Sequence, residues 1–162
     1  MKAVIFVFYL FIAFVPIFNA TGLSDDVTER MAQFLSMSKT DIQICINKTY
    51  VKVEDLMRLD QLVDDDIETI DINKSVLKVG CLFACLLQKK KVISDAYINE
   101  VKLKEFLNSN MPHAEYRFIS ERNRILDTCI DRVKSKSEEC EVTLKFILCL
   151  TAETKRLMGE RQ

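Results

Sequence analysis

The chain has 162 residues, with 23 Lys plus Arg against 24 Asp plus Glu, one histidine and six cysteines. A net charge of −1 with both signs interspersed argues against a nucleic-acid partner held by counterion release. One histidine leaves little with which to build a general acid–base pair or a zinc site.

Met1 and Lys2, the apolar run over residues 3–15 and the small residue Ala20 have the charge, apolar core and terminus of a secretory signal peptide. Cleavage after Ala20 puts the bulky Phe18 three residues back, whereas cleavage after Gly22 puts Ala20 there, so both points stay open. A retained signal anchor is the competing reading. The expected organisation is a leader over 1–20 and a single secreted domain over 21–162. Lys2 is the only charge in the leader, so the mature chain carries 22 basic against 24 acidic residues, a charge of −2. That length folds as one domain and buries a sizeable core unaided.

In chain order, Ser24-Asp25-Asp26 reads as a cap and acidic first turn of a helix carrying Val27, Met31, Phe34 and Leu35 at helical spacing. After a break at 36–39, Thr40 or Asp41 caps a second helix with Ile42, Cys45 and Ile46 inward. Residues 54–59 form a third, with Leu56, Leu59 and Leu62 or Val63 facing in. Asp64-Asp65-Asp66 marks a solvated connection. A central helix follows from Ile67 or Ile70 to between Val92 and Asp95. Its heart, residues 76–87, holds one charge, Lys78. Apolar residues run all round it, as a helix surrounded by other elements requires. It is too short to span a bilayer and closes on Lys89-Lys90-Lys91, read as a solvated helix end favoured by the dipole.

A moderately amphipathic helix over 96–108 carries Ile98, Val101, Phe106 and Leu107, until residues 108–112, ending in Pro112, interrupt it. Residues 118–133 place Leu126, Cys129, Ile130 and Val133 on one face. A polar exit over 134–139 leads to a last helix, 140–157, with Val142, Phe146, Cys149 and Leu150 inward. No stretch alternates like a strand between turn residues, so the fold class is all-α.

All six cysteines, Cys45, Cys81, Cys85, Cys129, Cys140 and Cys149, follow the leader and read as three disulfides. Cys81 and Cys85 share one helix face and point the same way, and Cys140 and Cys149 face opposite sides of theirs. Excluding both pairs leaves ten of the 15 connectivities that six cysteines allow.

Catalytic chemistry is sparse. His113 sits in a loop, and the cysteines are better used in disulfides. Cys81-x-x-x-Cys85 lacks a second pair for zinc. Asp71-Ile72-Asn73-Lys74-Ser75 begins like a calcium loop, but Val76 stands where glycine is required and Leu82 where the closing glutamate is. We therefore expect no enzyme activity, metal or cofactor. Asn47-Lys48-Thr49 and Asn73-Lys74-Ser75 are glycosylation sequons beside the core. The staples exceed what folding needs. A dry cavity of about 300–500 Å³ would cost on the order of 7–12 kcal/mol. Three disulfides, at about 2–4 kcal/mol each, match that total. A hollow protein and a merely durable one both fit.

The spacing Cys45-x35-Cys81-x3-Cys85-x43-Cys129-x10-Cys140-x8-Cys149 resembles that of insect odorant-binding proteins, in particular the moth pheromone-binding and general odorant-binding branch. The x3 and x8 gaps are its specific part, and the longer first gap suggests an insertion near 49–66. The resemblance implies a compact six- or seven-helix fold around an apolar cavity. It also implies interlocked bridges Cys45–Cys85, Cys81–Cys140 and Cys129–Cys149. On it, Phe83 lines the pocket, Leu87 stands where relatives place a ligand-bonding serine, and Phe146 and Leu150 face the cavity. Helix phase adds Met31, Phe34, Leu56, Leu59 and Leu126 to the candidate ligand-binding residues. Two departures concern mechanism. The histidine-rich gate of moth relatives falls here at Val101-Lys102-Leu103. Their long apolar tail is replaced by a short segment ending Gly159-Glu160-Arg161-Gln162, so no tail-insertion switch is expected.

The reading that follows is a secreted carrier of a small hydrophobic ligand, an odorant, pheromone or lipid-like molecule, moved through extracellular fluid without turnover. A membrane receptor is a candidate partner, and the chain is expected to be a monomer or weak homodimer without stable membrane insertion. The alternative is a salivary, seminal or haemolymph interaction protein acting on a macromolecule with a filled core. A secreted helical phospholipase ranks third, because its histidine–aspartate pair and calcium loop are absent.

Overall fold

In a computed structural model of the chain, residues 25–63, 69–134 and 138–159 are described. The leader and its cleavage point, Asp64-Asp65-Asp66 with Ile67, the middle of the polar exit and residues 160–162 lie outside them. Seven helices are present among the described residues. They are α1 (Asp25–Leu35), α2 (Lys39–Thr49), α3 (Val53–Gln61), α4 (Lys74–Lys89), α5 (Glu100–Asn110), α6 (Tyr116–Val133) and α7 (Glu139–Gly159).

Polar side chains fix where the helices begin. Ser38, rather than Thr40 or Asp41, caps α2, its hydroxyl accepting the Asp41 N–H at 3.1 Å. Asn73 caps α4 by accepting the Val76 N–H, so the central helix starts later than Ile67 or Ile70. Asn99 does the same for α5 through the Lys102 N–H. Each oxygen satisfies a first-turn donor that has no partner within the helix. Asp55, buried near the start of α3, accepts from the Lys52 N–H at 2.9 Å and from the Ser75 hydroxyl, tying α3 to the first turn of α4.

The central helix also stops earlier than Val92. Lys91 adopts a left-handed φ of 58°, and the Val92 N–H donates back to the Leu87 carbonyl at 2.9 Å. Two short strands follow, β1 (Ile93–Ser94) and β2 (Tyr97–Ile98), paired antiparallel with Ile93 opposite Ile98. This ribbon corrects the expectation of helix across 96–99. Its turn holds Asp95 at φ 54° and has neither glycine nor proline. Aspartate tolerates that region better than most residues. Ile93 and Ile98 are buried, so the ribbon plugs one end of the core.

No residue from 76 to 87 is exposed, the burial that an all-round apolar helix requires. α4 lies against α7, α2 and α3. On one side Val79, Leu82, Cys85 and Leu86 join Leu35, Ile42, Cys45 and Ile46 in a cluster built with α1 and α2. On the other, a larger cluster is built from α6, α7 and the ribbon, with Leu126, Cys129, Ile130, Leu144, Phe146 and Leu148 inside.

Three disulfides connect these layers: Cys45–Cys85 joins α2 to α4, Cys81–Cys140 joins α4 to α7, and Cys129–Cys149 joins α6 to α7. Lys89 and Lys90 are not simply a solvated end. Lys89 pairs with Asp41 at 2.9 Å and holds that carboxyl below the usual carboxylate range, while Lys90 donates to the Ser36 carbonyl at 2.7 Å. A cation there meets carbonyls left free at the end of α1.

Gly80 decides how close α4 and α7 come. A Cβ there would stand 2.2 Å from the Cys140 carbonyl oxygen and 2.8 Å from Leu144 Cβ. Glycine inside a helix costs about 1 kcal/mol relative to alanine, and here the close approach is what it permits. Gly80→Ala is expected to destabilise the oxidised protein by about 3 kcal/mol through overpacking, read as a lower urea midpoint. An unchanged midpoint would mean that the two helices do not meet at this position.

Candidate ligand-binding site

The nine candidate residues sit on five helices: Met31 and Phe34 on α1, Leu56 and Leu59 on α3, Phe83 and Leu87 on α4, Leu126 on α6, and Phe146 and Leu150 on α7. Spacings of three or four place each pair on one helix face. Met31, Phe34, Leu56 and Phe83 border the α1–α2 cluster, and Leu87, Leu126, Phe146 and Leu150 belong to the α6–α7 cluster. Leu59 touches both. The face of α4 carrying Phe83 and Leu87 thus passes from one cluster to the other.

Burial separates the nine. Leu126 and Phe146 are 1% and 2% exposed and enclosed by neighbours. The other seven are half-buried, against the core on one side and incompletely covered on the other. Phe106 of α5 also borders both clusters, with Lys90 Nζ 5.6 Å from its ring centroid. The sequence reading placed Phe106 on an apolar helix face but not among the site residues. Which face of α5 reaches the seam between clusters depends on how far the ribbon turns the chain before α5 begins.

The buried and half-buried threonine hydroxyls of α7 are occupied within their own helix. Thr143, Thr151 and Thr154 on α7 donate their hydroxyls to carbonyls four residues back on the same helix. Leu87 offers no hydroxyl. Between α5 and α6, Lys104 lies 2.6 Å from both Asp127 and Glu100, whose carboxylates hold its ammonium pKa above the ordinary value, Asp127 most strongly.

Two buried cations were not anticipated. Lys145 of α7 pairs with Glu141 at 3.0 Å. Arg122 of α6 donates from Nη2 to Asn108 Oδ1 at 2.7 Å and to Asn123 Oδ1 at 2.9 Å, and burial pulls its pKa down. The signal was present: each lies four residues before an inward cysteine or leucine, on the apolar stripe of its helix. His113 is exposed in its loop, and no group of three metal-ligating side chains occurs among the described residues. Nor is any described helix long and apolar enough to cross a membrane.

The PBP/GOBP family model matches residues 27–153, from the first helix into the last. Pheromone-binding protein Gp-9 of Solenopsis xyloni and that of Solenopsis geminata are each 22% identical over 148 residues, covering 91% of this chain and 90% of theirs. The Solenopsis daguerrei protein is 21% identical over 147 residues. No solved structure gives a significant match. With most of its length matched, and with an all-α fold joined by three disulfides, the chain belongs to the PBP/GOBP family of insect odorant-binding proteins.

Proposed function

We propose that the protein is a secreted carrier that takes a small apolar molecule into the seam beside α4 and moves it through extracellular fluid without turnover. One observation carries the reading. Seven half-buried apolar side chains flank the two cores, Met31, Phe34, Leu56 and Phe83 on one and Leu87 and Leu150 on the other, with Leu59 and also Phe106 touching both. Half-covered apolar surface gains by being covered again, at about 25 cal/mol per Å². A ligand hiding about 300 Å² would gain roughly 7 kcal/mol before association costs. The relatives named as pheromone-binding proteins agree with this class of ligand. The leader would deliver the chain to a compartment where its disulfides persist. A membrane receptor would receive the ligand from a monomer or weak dimer.

Release by an inserting tail is not part of this proposal. Residues 150–159 are the last turns of α7, with Leu150, Ala152 and Leu157 already against the α6–α7 cluster. Affinity for a fluorescent apolar probe such as N-phenyl-1-naphthylamine is therefore expected to change by less than about threefold between pH 7 and pH 5. A large acid-induced drop that disappears when the last residues are removed would contradict this.

The wall and the core are expected to respond differently to truncation. Phe146→Ala should cost about 3–5 kcal/mol in urea denaturation. Phe83→Ala should cost about 1–2 kcal/mol yet weaken probe binding at least about fivefold. Failure of a panel of apolar probes to bind the folded wild-type chain would sink the carrier reading.

A further inference from the structure

We infer that the molecule carried in this seam bears a carboxylate, and that Arg122 anchors it. The inference rests on the carrier reading and adds the chemical class of the ligand's head. Arg122 occupies the inward stripe of α6, one turn before Leu126, and is 2% exposed. Its Nε and Nη2 donate to side-chain carbonyls of Asn108 and Asn123, all neutral amides. Nη1 is buried and has no hydrogen-bond partner among the described residues.

No carboxylate compensates this charge among the described residues. Asp127, five residues further along α6, is taken by Lys104 together with Glu100. Glu121 pairs with Arg124, and Asp131 with Lys134. Lys145, as deeply buried, has Glu141 beside it. The fold therefore pairs one buried cation and leaves the other with an open donor. A guanidinium stays charged even when burial disfavours it, and buried charges are ordinarily paired, so an unpaired one marks the place of a missing anion. A carboxylate fits that place by charge and shape, because its two oxygens match the planar fork of Nη1 and Nη2. A phosphate dianion would leave a surplus negative charge against a single cation.

Location links the anchor to the apolar wall. Leu126, one turn on from Arg122 and on the same face of α6, belongs to the α6–α7 cluster, which Leu59, Phe106 and Leu87 border. An acid with its chain along Leu59, Phe106 and Leu87 would reach Arg122 with its head. Nη1 is closed off from solvent, so the head enters as the Asn108 amide swings away, freeing one N–H of Nη2 while the other stays on Asn123.

The test compares dodecanoic acid with 1-dodecanol as displacers of a fluorescent apolar probe from the secreted full-length chain at pH 7.4. Wild type should favour the acid by at least about tenfold. In Arg122→Met the gap should close to within about twofold through loss of acid affinity alone, and Arg122→Lys should keep part of it. Equal affinity of wild type for acid and alcohol, or an equal loss of both in Arg122→Met, would overturn the anchor and leave the carrier reading standing. Displacement by neither would overturn both. If Arg122→Met does not fold, carboxyl-labelled dodecanoate bound to wild type decides by carbon-13 NMR. The anchor predicts titration well below that of the free acid, and an unshifted or raised midpoint contradicts it.

Discussion

The backbone contact between α4 and α7 at Gly80 sets the spacing of everything around it. With no side chain at Gly80, the Cys140 carbonyl comes close enough that the adjacent Cys81 and Cys140 bridge with their Cα atoms 4.3 Å apart. One turn along α4, Cys85 reaches the other way to Cys45 on α2. The central helix is thereby held from two sides, and Cys129–Cys149 adds α6 to the same framework. Closing loops of 59, 40 and 20 residues removes conformations from the unfolded chain, at about 2–4 kcal/mol per bridge. That margin allows the seam to leave apolar surface half covered without the helices collapsing on one another.

Much of this arrangement was legible in the sequence because α4 announces itself. Twelve residues with one charge and no polar face have to be surrounded, and α4 is. Inward positions such as Leu126, Cys129, Ile130 and Val133 followed from helical spacing alone. What escaped was local chemistry with more than one outcome. Ser38, Thr40 and Asp41 are all competent caps, and only the path of the chain after α1 selects Ser38. The ribbon at residues 93–98 depends on two left-handed residues, Lys91 and Asp95, neither of them glycine. Gly80 read as one more small residue in an apolar run, although a glycine amid strong helix formers is itself a sign of close packing. The bridges could not be assigned from helix geometry, which left ten pairings.

The candidate site was legible by face but not by depth. Spacing put Phe146 and Leu126 inward, and the family resemblance put Phe83 and Leu87 at the pocket, with nothing to rank the four by depth. Whether such a residue ends as filler or as wall depends on what the neighbouring helices bring to it. Leu126 and Phe146 meet protein on all sides, whereas Phe83 and Leu87 meet it on one. Arg122 and Phe106 were passed over for related reasons. A charge on an amphipathic helix is ordinarily solvated, and a phenylalanine ordinarily core. Only the packing of α5 on α6 makes the first a buried cation and the second a bridge between clusters.

The central claim is that an apolar ligand lies between the two clusters in contact with both. Its most direct measurement is the set of intermolecular nuclear Overhauser effects between unlabelled 1-dodecanol and methyl-labelled protein. The account predicts contacts from Leu56 and Leu59 on α3, Leu87 on α4 and Leu150 on α7 in one complex. Contacts confined to exposed side chains such as Ile44 and Val101, with none from these leucines, would contradict it.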